Sequence, residues 1–89
     1  MKWQIDFSKS SLKFIDKNNI DKNDVFPIII NVLKKLKGER INIDIKKMKG
    51  DWKGYYRIRE GKIRLIIDIN FNDLNIYIDK IDYRGDVYK

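Results

Sequence analysis

Tyr55-Tyr56-Arg57-Ile58-Arg59-Glu60-Gly61-Lys62-Ile63-Arg64-Leu65-Ile66-Ile67-Asp68-Ile69 is the stretch that decides the fold. Apolar residues recur at every second position on both sides of a Glu-Gly break: Tyr56 and Ile58 before it, and Ile63, Leu65, Ile67 and Ile69 after it. A period of two marks half-buried strands, and two such runs around a glycine turn read as a hairpin. A two-residue loop at Glu60-Gly61 would pair Arg59 with Lys62, Ile58 with Ile63, Arg57 with Arg64 and Tyr56 with Leu65. Every apolar pair then falls on one face and every basic pair on the other. A slip of one residue would turn Arg64 into the core. The expected strands are residues 55–59 and 62–70. Like charges facing each other across a hairpin destabilise it by about 0.2–1 kcal/mol per pair. Four cations on one face suit a bound anion; the bland alternative is long side chains splayed into water.

Reading outward towards the C-terminus, residues 70–73 form a polar turn and residues 74–83 a further strand. On the other side, residues 50–54 form a glycine-bounded turn. Ile41, Ile43 and Ile45 alternate with polar residues, as a strand or as an extended loop leading to a short strand near residues 47–49. The N-terminal part changes period. Trp3, Ile5 and Phe7 alternate as a short strand, and Ser8 is a candidate N-cap for a helix over residues 10–17 carrying Leu12, Phe14 and Ile15. Residues 18–23 are a polar turn. Asp24 is a candidate cap for a second helix, with Pro27 in its first turn, where a missing N–H costs nothing. Val25, Phe26, Ile29, Val32, Leu33 and Leu36 follow the 3.6-residue period, and Gly38 stops the helix. The expectation is an α+β domain over residues 1–89, with two helices packed on one face of a twisted, mostly antiparallel sheet.

Composition removes several function classes. The chain has 89 residues, one domain's worth, with 43% apolar residues and seventeen isoleucines spread along its length. It has no Cys and no His, which excludes disulfides, thiolate or histidine-ligated metals, a Ser-His-Asp triad and a histidine base. No cofactor and no metal are expected. No apolar run approaches the ~18 residues of a membrane span, and the first twenty residues lack the apolar stretch of a signal peptide. The expected location is the cytoplasm, with no membrane partner.

The net charge of +7 is concentrated. Residues 46–64 hold Lys46, Lys47, Lys49, Lys53, Arg57, Arg59, Lys62 and Arg64 against Asp51 and Glu60, a local charge of +6. Such a run is either a solvated face or a footprint for a polyanion, whose counterions it releases on binding. Trp52, Tyr55 and Tyr56 lie inside it, and aromatics beside cations are the usual platform for unstacked RNA bases.

Three segments together resemble the RelE/ParE toxin superfamily: Lys46-Lys47-Met48-Lys49-Gly50, the strand pair from Tyr55 to Leu65, and the ending Tyr83-Arg84-Gly85-Asp86-Val87-Tyr88. The resemblance spans residues 46–88 and fits the order of strand, two helices and sheet. It implies a microbial RNase-type fold and the toxin of a toxin–antitoxin pair, with an acidic antitoxin and ribosome-bound mRNA as partners. It also implies a site made of Arg57, Arg59, Arg64, Arg84 and Tyr88, flanked by Lys46, Lys47, Lys49, Lys53, Tyr55 and Lys62 as nucleic-acid contacts. In the RelE branch such a site cuts mRNA in the ribosomal A site; the ParE branch inhibits DNA gyrase without cutting RNA. Some relatives carry Lys where this chain has Arg57 and Arg59. Arginine does not deprotonate, so neither is a good general base, and Tyr88 is the candidate to orient the nucleotide or accept the 2′-OH proton. The alternatives are a gyrase inhibitor and a non-enzymatic RNA-binding module.

Overall fold

The computed structural model describes residues 2–83. Five strands and two helices follow in the order β1 (Gln4–Phe7), α1 (Lys9–Lys17), α2 (Lys22–Leu36), β2 (Asp44–Lys47), β3 (Tyr55–Glu60), β4 (Ile63–Asn70) and β5 (Asn75–Tyr83). A single 3₁₀ turn, Gly50–Trp52, lies in the β2–β3 connection. The strands form one open sheet in the order β1-β5-β4-β3-β2. β1 runs parallel to β5 and all other neighbours are antiparallel. The two helices therefore carry the chain from one sheet edge to the other, and β2 to β5 return as a meander.

Both helices bury their apolar stripe on the same sheet face. Ile15 of α1 and Val25, Ile28, Ile29 and Val32 of α2 pack with Ile58, Leu65, Ile67, Ile69, Ile76, Ile78 and Ile81 of the strands. Ser8 is the α1 N-cap as expected: its Oγ accepts from the Ser11 N–H at 3.0 Å. The same hydroxyl donates to the Asp79 carbonyl at 2.6 Å, which ties the helix start to β5. The second cap differs from expectation. Asp21, not Asp24, caps α2 by accepting from the Asn23 N–H at 2.9 Å. The helix thus gains a turn, Asp24 sits in that first turn, where its charge suits the dipole, and Pro27 falls in the second turn. There Pro27 removes the donor that the Asn23 carbonyl would otherwise meet. Leu36, expected on the buried stripe, is exposed, whereas Ile28 is buried. The short strand before the loop is Asp44–Lys47, ending where the sequence reading had it begin.

The hairpin keeps its expected faces with a different register. Glu60 pairs with Ile63, Arg59 with Arg64, Ile58 with Leu65, Arg57 with Ile66 and Tyr56 with Ile67. The loop is Gly61-Lys62, and the expected pairs Arg59–Lys62, Ile58–Ile63, Arg57–Arg64 and Tyr56–Leu65 do not form. Turn chemistry explains the shift. Gly61 has φ +58° while Lys62 keeps a negative φ, so glycine occupies the first central position, as a type II′ turn requires. Placing Gly61 second would have demanded a positive φ at Glu60. The shift is two residues, so side-chain parity survives.

A β-bulge completes the architecture. Ile66 pairs with Lys80 but Ile67 with Ile78, leaving Asp79 as the extra residue on β5. The bulge lets Ile76, Ile78 and Ile81 all face the helices, and it sends Lys80 and Asp82 to the opposite, helix-free face. No helix among the described residues is long and apolar enough to cross a membrane.

Candidate nucleic-acid interface

The helix-free face of the sheet presents the basic residues in rows across the strands. One row runs Asp44, Arg59, Arg64, Asp82; the next runs Lys46, Arg57, Ile66, Lys80. Arg57, Arg59 and Arg64 thus converge as expected, with Arg59 directly opposite Arg64 and Arg57 one step along. Lys46 joins them opposite Arg57. Ile66 is only 4% exposed and lies outside the helix-side core, as the apolar floor of this face.

Two carboxylates interrupt the cations. Asp44 bridges Arg57 at 3.6 Å and Arg59 at 3.9 Å. Asp82 contacts Arg64 at 3.2 Å and Lys80 at 3.9 Å. The like-charge facing read from the sequence is therefore partly relieved by the chain's own acids. The arginines are about one-fifth exposed, Asp44 is half exposed and Asp82 29% exposed. The two pairs of the half-exposed Asp44 contribute less than about 1 kcal/mol each, whereas the Arg64–Asp82 pair is shorter and mostly buried. The Nε atoms of Arg57 and Arg64 are buried and have no hydrogen-bond partner among the described residues.

The remaining expected contacts divide. Lys47, Lys49, Lys53 and Tyr55 line a cleft of about 510 Å³ under the β2–β3 loop, together with Met48, Gly50, Gly54 and Tyr56. A smaller hollow of about 270 Å³ shares Lys47, Met48 and Lys49 with it and reaches Lys46 and Arg57. The cleft and the arginine rows are thus contiguous. Tyr56 faces the helix side and packs against the core, apart from Trp52 and Tyr55. Trp52 is 37% exposed and meets Tyr55 edge-on at 5.2 Å between ring centroids. Burial, then the carboxylates of Asp79 and Asp68, push the Tyr55 phenol above its ordinary pKa of 10. It stays a neutral hydrogen-bond donor at physiological pH and is no proton acceptor. Lys62 sits in the β3–β4 turn, at the other end of β3 from this cleft. Arg84 and Tyr88 lie outside the described residues.

Sequence reasoning missed Asp44, Asp82 and Ile66. One signal existed for Asp82: the spacing Ile76, Ile78, Ile81 breaks a strict alternation and marks a bulge. Nothing comparable pointed to Asp44, whose role depends on the β2–β3 register.

Two helices laid on one face of an open five-stranded mixed sheet match the fold of solved RelE-family toxins. Solved structures similar over nearly the whole chain include three of such toxins or their complexes. They are YafQ from Escherichia coli strain BL21(DE3) (15% identity, TM-score 0.65, 99% of this chain and 100% of that one), the RelBE2 toxin–antitoxin complex from Mycobacterium tuberculosis (17%, 0.62, 94% and 100%), and the YoeB–YefM toxin–antitoxin complex from Staphylococcus aureus (22%, 0.61, 94% and 99%). No protein-family model and no curated protein sequence matches the chain. The likeness is one of fold, carried at low identity.

Proposed function

We propose that the chain is the toxin of a toxin–antitoxin pair, a single-domain endoribonuclease that cuts mRNA on the ribosome. The observation that carries this reading is the convergence of Arg57, Arg59 and Arg64, with Lys46, on the sheet face that no helix among the described residues covers. Solved structures of the same fold include toxins held in complexes with antitoxins, which supports the pairing. The antitoxin is an acidic chain drawn to the +7 charge, and the reaction takes place in the cytoplasm without a metal or cofactor.

The chemistry follows from the residue types. The substrate's 2′-OH attacks the adjacent phosphorus, the new 2′-O–P bond forms, and the P–O5′ bond breaks to leave a 2′,3′-cyclic phosphate and a 5′-hydroxyl. Charge builds on the non-bridging oxygens, where fixed guanidinium donors stabilise it. Arg59 and Arg64 grip the scissile phosphate, with Arg57 beside them, since planar guanidinium forks match phosphate oxygens. Arg84 stabilises the leaving 5′-oxygen, which takes up a proton from water, and Tyr88 accepts the 2′-OH proton as its phenolate or, as the neutral phenol, orients the nucleotide. Lys46, Lys47, Lys49, Lys53 and Lys62 hold the flanking phosphates, and Tyr55 stacks a base.

The test is to induce the chain in growing bacteria without its antitoxin and map mRNA 5′ ends. New ends within translated codons, suppressed by co-expression of the acidic partner, are the expected result. Growth arrest with intact mRNA and inhibited DNA gyrase would replace this reading with gyrase inhibition. Harmless accumulation of unpartnered protein would remove the toxin reading altogether.

A further inference from the structure

The carboxylates that interrupt the arginine rows have no role in the reaction just described, yet each occupies the place of an anion. Asp44 holds one oxygen toward Arg57 at 3.6 Å and the other toward Arg59 at 3.9 Å. Asp82 lies between Arg64 at 3.2 Å and Lys80 at 3.9 Å. They approach from opposite edges of the cluster, Asp44 from β2 and Asp82 from β5, flanking Arg59 and Arg64 in one row. The charged groups of these two rows are Asp44 and Lys46 of β2, Arg57 and Arg59 of β3, Arg64 of β4, and Lys80 and Asp82 of β5. The contacts of Asp44 are long and its carboxylate is half exposed, so it holds its guanidinium groups weakly; Asp82 holds Arg64 more closely, at 3.2 Å. They also leave the site incomplete, since the Nε donors of Arg57 and Arg64 meet no acceptor among the described residues.

We propose that Asp44 and Asp82 are internal competitors for the phosphate positions of the arginine face, so that a strand of linked phosphodiesters displaces them and an isolated phosphate does not. The inference rests on the reading of this face as a phosphodiester site and adds the element that sets its selectivity. A single phosphate that enters must give up as much attraction at one arginine as it gains, because a carboxylate is already there. A strand bound across the rows makes several contacts at once, so each later displacement is intramolecular and the strand releases more counterions than the carboxylates hold back. The opposite role is also well defined: carboxylates that only orient the arginines would make binding weaker when removed. The two roles differ in sign.

The experiment compares wild type, Asp44→Asn, Asp82→Asn and, as a control for net charge alone, Asp24→Asn on α2, on the other side of the sheet. A fluorescent, uncleavable 2′-O-methyl RNA oligonucleotide is titrated at several salt concentrations. Each of the first two variants should bind about three- to fivefold tighter, the reach of one exposed ion pair. Each should also steepen the plot of log affinity against log salt by about 0.7, one further phosphate neutralised on a single strand. Melting with pyrophosphate gives a readout that needs no RNA: its stabilising shift should be larger in Asp44→Asn and Asp82→Asn than in wild type. Variants that behave like Asp24→Asn in both assays, or bind more weakly, overturn the inference. If no protein binds the oligonucleotide while the pyrophosphate shift still grows in the two variants, Asp44 and Asp82 stand as competitors for the phosphate positions, and displacement by a strand falls with the RNA reading. If neither ligand acts on any of them, both fall.

Discussion

Replacing Arg64 by Ala separates the chemistry of the basic face from its stability. Arg64 leaves the core untouched, because its side chain lies on the helix-free face opposite Arg59. Its loss removes one 3.2 Å hydrogen-bonded ion pair with Asp82, both side chains mostly buried, at a cost of about 1 kcal/mol. It also removes the like-charge pair with Arg59, which returns about 0.2–1 kcal/mol, and Asp82 keeps Lys80 at 3.9 Å. The two effects nearly cancel. A residual of 1 kcal/mol moves the melting midpoint of a chain this size by about 4–8 °C, so the variant should melt within that margin of wild type. Cleavage should respond very differently. A fixed donor to the developing phosphorane charge contributes about 10²–10³ in rate, and single-turnover cleavage on programmed ribosomes should fall by that factor. Arg64→Lys keeps the charge and loses the planar fork, so it should fall between. An alanine variant that cuts at the wild-type rate would remove Arg64 from the site. One that fails to fold would show that the side chain is not where the register puts it.

Three further predictions test the frame that positions the site. Ile66→Ala truncates an apolar side chain between Arg57 and Lys80 at a position 4% exposed; it should cost about 2 kcal/mol and lower the midpoint by about 8–16 °C. Ser8→Ala removes both the N-cap of α1 and the bond to the Asp79 carbonyl at the bulge, about 1 kcal/mol each, and should show the same midpoint loss while the folded fraction keeps its RNA affinity. The raised pKa of Tyr55 predicts a loss of stability in alkali: the phenol is neutral in both states below pH 10, and above it the unfolded chain ionises first, so stability falls as pH rises through the folded value. Tyr55→Phe should flatten that alkaline slope in denaturant titrations from pH 9 to 11.

Much of this was legible from alternation alone. The parity of Tyr56, Ile58, Ile63, Leu65, Ile67 and Ile69 assigns faces correctly whichever two-residue turn connects the strands, which is why Arg57, Arg59 and Arg64 emerge together despite a register two residues off. What alternation cannot fix is which residue opens the turn. That depended on glycine's freedom at positive φ, and Gly61 took the first central position where the sequence reading gave it the second. Helix 2 began earlier than its apolar stripe implied because a cap is a local hydrogen bond, and Asp21 and Asp24 are chemically equal candidates for it. The acids were illegible for a further reason. Asp44 and Asp82 lie 13 or more residues from every arginine they meet, and they reach them only through the pairing of β2 with β3 and the bulge in β5. Ile66 reads as a solvent-facing residue in any strict alternation, yet it is only 4% exposed, in register between Arg57 and Lys80.

The central claim, that this face cuts RNA through the substrate's own 2′-hydroxyl, is tested most directly by a single-atom change in the message. Ribosomes are programmed with an mRNA whose A-site cleavage position has been mapped, and with the same mRNA carrying one 2′-deoxy sugar at that nucleotide. The all-ribose message should be cut to a 2′,3′-cyclic phosphate and a 5′-hydroxyl, and the single deoxy substitution should leave it intact. Equal cutting of both messages, or no cutting of either by folded protein, would contradict the claim.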